Sequence, residues 1–301
     1  MKKLLIVLVV GTVCNTMLSQ GVLIPDTIVV DEMSRSFLVY LPDGYEAEEP
    51  LPLLFNLHGA GMTPEEQLYV TSTNEVADSG RFIVVYPKGV LNSLNTTGWN
   101  SDRTPNLQDD VAFVNAMIDS ISAEYTIDLS RVYACGLSNG AVMCHTLACD
   151  LSDRITAIAA VSAPLAEPME HCRATRPIPV LYMHGTADKV VPYEGGPGFV
   201  PIDFMSAETC VMGWIEHDKC SEVPQMTKVP DIVKSDSSTV IVQRYTHCSE
   251  TSEVVFYIVQ NGGHVWPGTI VPDEHLARFG HVNRDINASE EIWNFLKRFS
   301  M

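Results

Sequence analysis

Near-continuous apolar runs alternate with stretches of helical spacing along most of this 301-residue chain. Leu51 to Leu57, Arg131 to Cys135, Ile178 to Met183 and Glu253 to Val259 read as buried strands. Val111 to Tyr125, Ala141 to Cys149 and Ile292 to Phe299 read as helices. Strands that are apolar on both faces need cover on both sides. The alternation therefore predicts an α/β fold, a mostly parallel sheet with helices on both faces. Nearer the start, Thr27 to Val30 and Ser36 to Leu41, split by Asp31 to Arg35, predict an N-terminal antiparallel hairpin. No internal repeat, low-complexity tract or Pro/Ser-rich linker breaks the pattern. Length alone permits two domains, but α/β folds commonly run this long as one, so residues 22–301 are expected to form a single domain.

The first residues are of another kind. Met1-Lys2-Lys3 followed by Leu4 to Val13 is a charged segment and then an apolar one too short to span a bilayer, the form of an export signal. Small residues at Ser19 and Gly21 place cleavage after Gly21, with Ser19 the alternative, so residues 1–21 are expected to be a signal peptide. A lipid anchor on Cys14 is disfavoured by bulky Val13 before it. No other segment offers the roughly eighteen consecutive apolar residues of a membrane span. The expected mature chain is soluble and exported, secreted or periplasmic. Loss of Lys2 and Lys3 lowers the formal net charge by two, from −18 to −20. Such a surface argues against nucleic acid and membranes as partners and suits a neutral substrate.

Gly136-Leu137-Ser138-Asn139-Gly140 lies between a strand and a helix and puts a serine at the apex of a sharp turn. The two glycines leave room for a cramped backbone and close strand–helix packing, so that the Ser138 hydroxyl can project into an open site. A serine hydroxyl is a weak nucleophile at neutral pH. It needs an imidazole to take its proton and a carboxylate to hold that imidazole in the right tautomer. The strand Ile178 to Met183 runs into His184-Gly185-Thr186-Ala187-Asp188, and the strand ending at Val259 runs into Asn261-Gly262-Gly263-His264. The order Ser138, Asp188, His264 is that of the α/β-hydrolases. A third strand, Leu51 to Leu57, ends in His58-Gly59-Ala60-Gly61-Met62. Small residues there suit backbone N–H groups facing a developing oxyanion, with Ala60 and Asn139 the expected donors and Gly61 the fallback for the first.

On these residues the chain resembles the secreted esterases grouped with poly(3-hydroxybutyrate) depolymerases and feruloyl esterases, the α/β-hydrolases of the first carbohydrate-esterase family. The matching segments are Phe37 to Pro42 with Gly44-Tyr45, His58 to Gly61, Gly98-Trp99-Asn100, Asp109-Asp110-Val111, Arg131 to Gly140, Pro179 to Tyr193, and Gly262 to Gly268. Ala141 stands where a third glycine is often found, and Asn261 replaces the first glycine of a usual Gly-Gly-Gly-His. Neither change removes a reacting group. The resemblance implies that residues 22–301 are an α/β-hydrolase catalytic domain, a serine carboxylic-ester hydrolase working through an acyl-enzyme. Hydroxycinnamoyl (feruloyl-type) esters on plant polysaccharide and short hydroxyalkanoate esters or oligomers are the implied substrates. An acyltransferase using the same triad and a polyester depolymerase are the alternatives. No cofactor is implied.

Of the eight cysteines, Cys135 and Cys144 sit in apolar surroundings and read as buried thiols. Cys149, Cys172, Cys220 and Cys248 flank the site-bearing segments. In an exported protein they suit disulfides, and positions in similar enzymes imply Cys149 with Cys172 and Cys220 with Cys248, although sequence alone leaves connectivity open. Cys210 is left over. The nine histidines show no close metal-ligand spacing and no Cys-x-x-Cys occurs, so no metal is expected. His145 reads as a packed helix residue, and His58 and His184 as fixing loops. Asp109 and Asp110, at the start of a helix, read as capping and dipole-stabilising residues. Asn95 and Asn287 open glycosylation sequons, which matter only in a eukaryotic source. Trp99, Tyr193 and Trp266 lie on loops expected at the carboxyl edge of the sheet and are candidate walls of a substrate pocket. The Trp-Pro-Gly context of Trp266 suits a loop anchor equally well.

Overall fold

The computed structural model describes residues 21–91, 96–104, 107–198, 202–270 and 273–301. The expected leader with Cys14, and the sequon residue Asn95, lie outside the described residues. Strands β1 (Val22–Val30) and β2 (Met33–Leu41) pair along their whole length as an antiparallel hairpin. Their turn is only Asp31-Glu32, with φ of 49° and 62°. A two-residue hairpin turn requires that left-handed pair, normally marked by Gly or Asn. Without that mark the turn reads from sequence as a longer break, from Asp31 to Arg35.

After the hairpin come β3 (Leu51–Leu57), α1 (Pro64–Thr71), α2 (Thr73–Gly80), β4 (Ile83–Pro87) and a ribbon of β5 (Val90–Leu91) with β6 (Thr97–Gly98). The central portion is α3 (Asp110–Glu124), β7 (Ile127–Leu137), α4 (Asn139–Asp150), β8 (Ala157–Val161) and β9 (Val180–Gly185). A second ribbon, β10 (Gly196–Pro197) with β11 (Asp203–Phe204), leads to α5 (Ala207–Asp218), β12 (Gln225–Lys228), β13 (Thr239–Tyr245), β14 (Val254–Gln260), α6 (Asp273–Phe279) and α7 (Ala288–Leu296).

Ten strands form the main sheet in the order β1-β2-β4-β3-β7-β8-β9-β14-β13-β12. From β4 through β14 every neighbouring pair is parallel, and the strands outside that block are antiparallel. This mixed, mostly parallel sheet is covered on both faces. Alternate residues of β7 divide between the two cores: Val132 and Ala134 join Phe113, Met117, Met143, Leu147 and Trp214 from α3, α4 and α5. Tyr133 and Cys135 face Val76, Trp293 and Phe295 from α2 and α7. The expected α/β layering is what two-faced burial of the strands requires. Exposed β12 has no apolar pattern to announce it and is held by pairing with β13.

The chain leaves β3 toward β4 on one side, and β7 later pairs on the other side of β3. Connections therefore diverge between β3 and β7, the point beyond the carboxyl ends of the strands where open α/β sheets bind ligands. The His58 loop follows β3 and Ser138 follows β7, so both fall at that point.

Candidate active site

Ser138 sits between β7 and α4 with φ 56° and ψ −122°, a conformation a non-glycine residue adopts only when its surroundings force it. Its N–H is tied to Val161 O of β8 at 2.9 Å. The flanking glycines are needed for close approach. A Cβ on Gly136 would come within 2.6 Å of the Gly140 carbonyl, and one on Gly140 would strike the Leu57 and His58 carbonyls. A Cβ on Gly59 would meet Ser138 Cβ at 3.4 Å, which brings the loop after β3 against the serine.

That loop also settles which amides are available. Gly61 N–H is taken by Thr97 O at 2.8 Å and Met62 N–H by Gly59 O at 3.2 Å. Among the described residues, the Ala60 N–H is left without a backbone acceptor. So is that of Asn139, at the first position of α4, where the helix dipole also favours negative charge. Gly61, the fallback donor, is occupied.

Several bonds hold these amides in place. His58 Nε2 accepts from Gly89 N–H at 2.9 Å, so Nδ1 carries the proton and donates to Gly59 O at 2.7 Å. Burial pushes the His58 pKa down, which keeps that ring neutral. Asn139 Oδ1 accepts from Trp99 N–H at 2.7 Å, and Trp99 Nε1 donates to the His58 carbonyl at 2.8 Å. The Asn139 side chain thus fastens the Trp99 loop to the serine turn while its backbone N–H stays free.

The acid and the imidazole come from adjacent strands. Asp188 lies on the loop after β9 and His264 on the loop after β14, and those strands pair in parallel. His264 Nδ1 lies 2.7 Å from Asp188 Oδ2. Asp188 Oδ1 accepts from Val190 N–H and Val191 N–H at 2.8 and 2.9 Å. Burial alone would raise the Asp188 pKa, but bonds from His184 and His264 outweigh it and hold the carboxyl down to about 2. Among the described residues the Ser138 hydroxyl makes no hydrogen bond to His264; such bonds often form only with substrate in place.

The three aromatic wall candidates take structural places. Trp99 is clamped under the loops just described and buried. Tyr193 is buried against His184 and Phe256. Trp266, 1% exposed, packs in the core beneath α7 with its indole N–H on Ser289 Oγ at 3.1 Å. Loop anchoring, not a pocket wall, is the role their burial supports. Aromatic rings carry enough apolar surface that a loop able to cover them will do so.

Asp109 caps α3 by accepting Ala112 N–H at 2.8 Å, as its position suggested. Asp110 does not act as a cap. It is buried in an ion pair with Arg35 of the hairpin at 2.6 Å and accepts Asn100 N–H at 2.7 Å, tying the Trp99 loop to the hairpin. His145 is buried, accepts Trp214 Nε1–H at 3.1 Å, and burial lowers its pKa to about 3. Cys149–Cys172 and Cys220–Cys248 are disulfides, and Cys135, Cys144 and Cys210 are buried thiols whose pKa values burial pushes up.

A family model described as esterase PHB depolymerase matches residues 35–192. NocK of Nocardia uniformis subsp. tsuyamanensis, which carries the name of an esterase, is 29% identical over 287 residues, covering 89% of this chain and 81% of its own length. Feruloyl esterase B of Piromyces equi is 27% identical over 274 residues, covering 89% of this chain, which spans 46% of that relative's length. The structure of an acetyl xylan esterase from Aspergillus awamori matches with a TM-score of 0.59 at 12% identity, over 84% of this chain and 97% of that one. So distant a likeness shows the fold alone, an α/β-hydrolase fold. The family match covers more than half of the sequence and includes the serine turn, the His58 loop and the Asp188 loop. The chain belongs to the esterase PHB depolymerase family of carboxylic-ester hydrolases.

Proposed function

We propose that this protein is an exported serine esterase whose nucleophile is Ser138, with His264 as general base and acid and Asp188 as the group that orients the imidazole. The reading rests on one observation. Beside the divergence of the sheet, a serine in a forced backbone conformation abuts a loop with a free amide, and an aspartate–histidine pair follows the second and third strands beyond it.

Asp188 holds the proton of His264 on Nδ1, so Nε2 offers a lone pair. Ser138 Oγ attacks the ester carbonyl carbon while Nε2 takes the hydroxyl proton. The carbonyl oxygen becomes an oxyanion that accepts hydrogen bonds from the Ala60 and Asn139 N–H groups. Collapse breaks the bond to the alcohol oxygen, which leaves with the proton from Nε2. Water then attacks the acyl-serine, passes its proton to Nε2, and the carboxylic acid departs as Ser138 recovers its proton. Each step uses side chains and amides of this chain.

Substrates are esters of small acyl groups, hydroxycinnamoyl or short hydroxyalkanoate, with a polysaccharide as a leading alcohol partner. Support comes from relatives named for feruloyl and acetylxylan esters. Two disulfides suit an oxidising compartment, and among the described residues no helix is long and apolar enough to cross a membrane. The test is a panel of para-nitrophenyl esters of rising chain length beside methyl ferulate and a hydroxybutyrate oligomer. Wild-type protein should hydrolyse at least one class, and Ser138→Ala should lose that turnover by about 1,000-fold or more while staying folded. Retention of most activity in folded Ser138→Ala would remove Ser138 from this role.

A further inference from the structure

We propose that His184 is a positioning residue for the reaction, fixing the Asp188 carboxylate that in turn orients His264. The inference rests on the catalytic reading above and adds a residue that reading does not use.

His184 is the penultimate residue of β9 and fully buried. Its Nδ1 lies 2.6 Å from the Tyr182 hydroxyl, and its Nε2 lies 2.9 Å from Val191 O and 3.3 Å from Asp188 Oδ2. These partners determine where the ring proton sits. Tyr182 is buried, and burial raises its pKa well above the usual tyrosine value, so the hydroxyl keeps its proton and donates it to Nδ1. With Nδ1 accepting, Nε2 carries the hydrogen. That hydrogen goes to the Val191 carbonyl, and Asp188 Oδ2, the oxygen that also faces His264, stands 3.3 Å from the same nitrogen as a charge contact.

The consequence for Asp188 is a carboxylate held on both oxygens. Oδ1 holds two backbone N–H groups, and Oδ2 faces His264 and His184. Of its roughly four lone-pair sites three are filled by hydrogen bonds, and the His184 Nε2–H stands beside the remaining side of Oδ2 at 3.3 Å. Rotation about its side chain would break several bonds at once. The Nε2–H dipole beside Oδ2 also makes that oxygen a weaker base, so the Nδ1 proton stays on His264. The bond from Nε2 to Val191 O, meanwhile, holds the turn whose N–H groups meet Oδ1. The ionisable groups facing His184 are Tyr182 on its own strand, Asp188 and Tyr193 on the loop beyond, and His264 across Asp188.

A residue that only fills space at the end of β9 would affect stability and leave the chemistry of the pair unchanged. His184→Leu removes the N–H, His184→Gln keeps a side-chain N–H at the Nε2 position, and His184→Asn stays polar while its amide stops short of that position. Three readouts apply: kcat and KM for para-nitrophenyl acetate, the acid limb of kcat/KM against pH, and the low-field proton resonance of His264 Nδ1–H. For His184→Leu, kcat should fall about 10- to 100-fold with little change in KM. Its acid limb should move to higher pH, because a carboxylate with one donor fewer holds the imidazolium more tightly. The low-field resonance should shift, and His184→Gln should restore part of each effect.

A folded His184→Leu protein with wild-type pH profile and resonance would overturn the proposal. If that variant fails to fold, His184→Asn decides, since a wild-type pH profile and resonance there would overturn it equally. The resonance reports on the pair without turnover. Failure of the catalytic reading, with Ser138→Ala still active, is therefore distinguishable from failure of the role of His184.

Discussion

Asparagine in place of Asp188 tests the aspartate–histidine pair one atom at a time. The Val190 and Val191 N–H groups reach Oδ1 at 2.8 and 2.9 Å, so the amide oxygen of the asparagine is drawn to that side. Its NH₂ group must then occupy the Oδ2 position, facing His264 Nδ1 at 2.7 Å and His184 Nε2 at 3.3 Å. A donor in that place cannot accept the Nδ1 proton. The imidazole has to turn its lone pair toward the amide and carry its proton on Nε2, which leaves no base for Ser138. Loss of the working tautomer lowers kcat by about 10,000-fold in triads of this kind, about 5.4 kcal/mol of barrier. The assay is ester hydrolysis from about pH 5 to 10, with circular dichroism and urea unfolding to confirm the fold. Residual turnover should rise with pH as hydroxide substitutes for the missing base. A folded asparagine variant within about tenfold of wild-type kcat would refute the assignment of Asp188.

Asp110→Ala leaves the Arg35 guanidinium, 3% exposed, without its carboxylate and should cost about 3–5 kcal/mol in urea unfolding. An apolar replacement of both partners should cost much less, and a single-variant loss below about 1 kcal/mol would contradict the account. Reduction of Cys149–Cys172 and Cys220–Cys248, which close separations of 23 and 28 residues, should remove about 3 kcal/mol each. A melting temperature unmoved by reductant would contradict that. Asp188 also makes stability depend on pH. Its folded pKa of about 2 lies below the ordinary 3.8, so the unfolded chain binds more protons between those values and stability falls as pH drops through that window. The loss should reach about 2 kcal/mol, and urea midpoints measured against pH should fall less in Asp188→Asn than in wild type, the remainder coming from carboxyls such as Asp128 and Asp285, which their hydrogen bonds also hold down.

The main features of the candidate site are local, and that is why sequence could name them. A strand, a turn crowded by Gly136 and Gly140, and a helix can be recognised within a dozen residues, and Asp188 and His264 follow their own strands at short range. Strands apolar on both faces dictate helices on both sides of a parallel sheet wherever they fold. Sequence also left Ala60 and Gly61 as rival donors, since both sit in the same small-residue loop. Thr97, which takes the Gly61 amide and leaves the Ala60 amide open, arrives from a separate ribbon. Asp110 looked like a cap because its chain neighbours open a helix, yet Arg35, 75 residues earlier, claims it as an ion pair. Trp99, Tyr193 and Trp266 were candidates for pocket walls, Trp266 equally for a loop anchor, and all three are buried. His184 shows the same limit, since its meaning depends on Tyr182, Val191 and Asp188 converging on one ring. Periodicity and turn chemistry act between neighbours and are written in the sequence. Burial and long-range hydrogen bonding depend on which distant segments come together, and only the tertiary structure decides that.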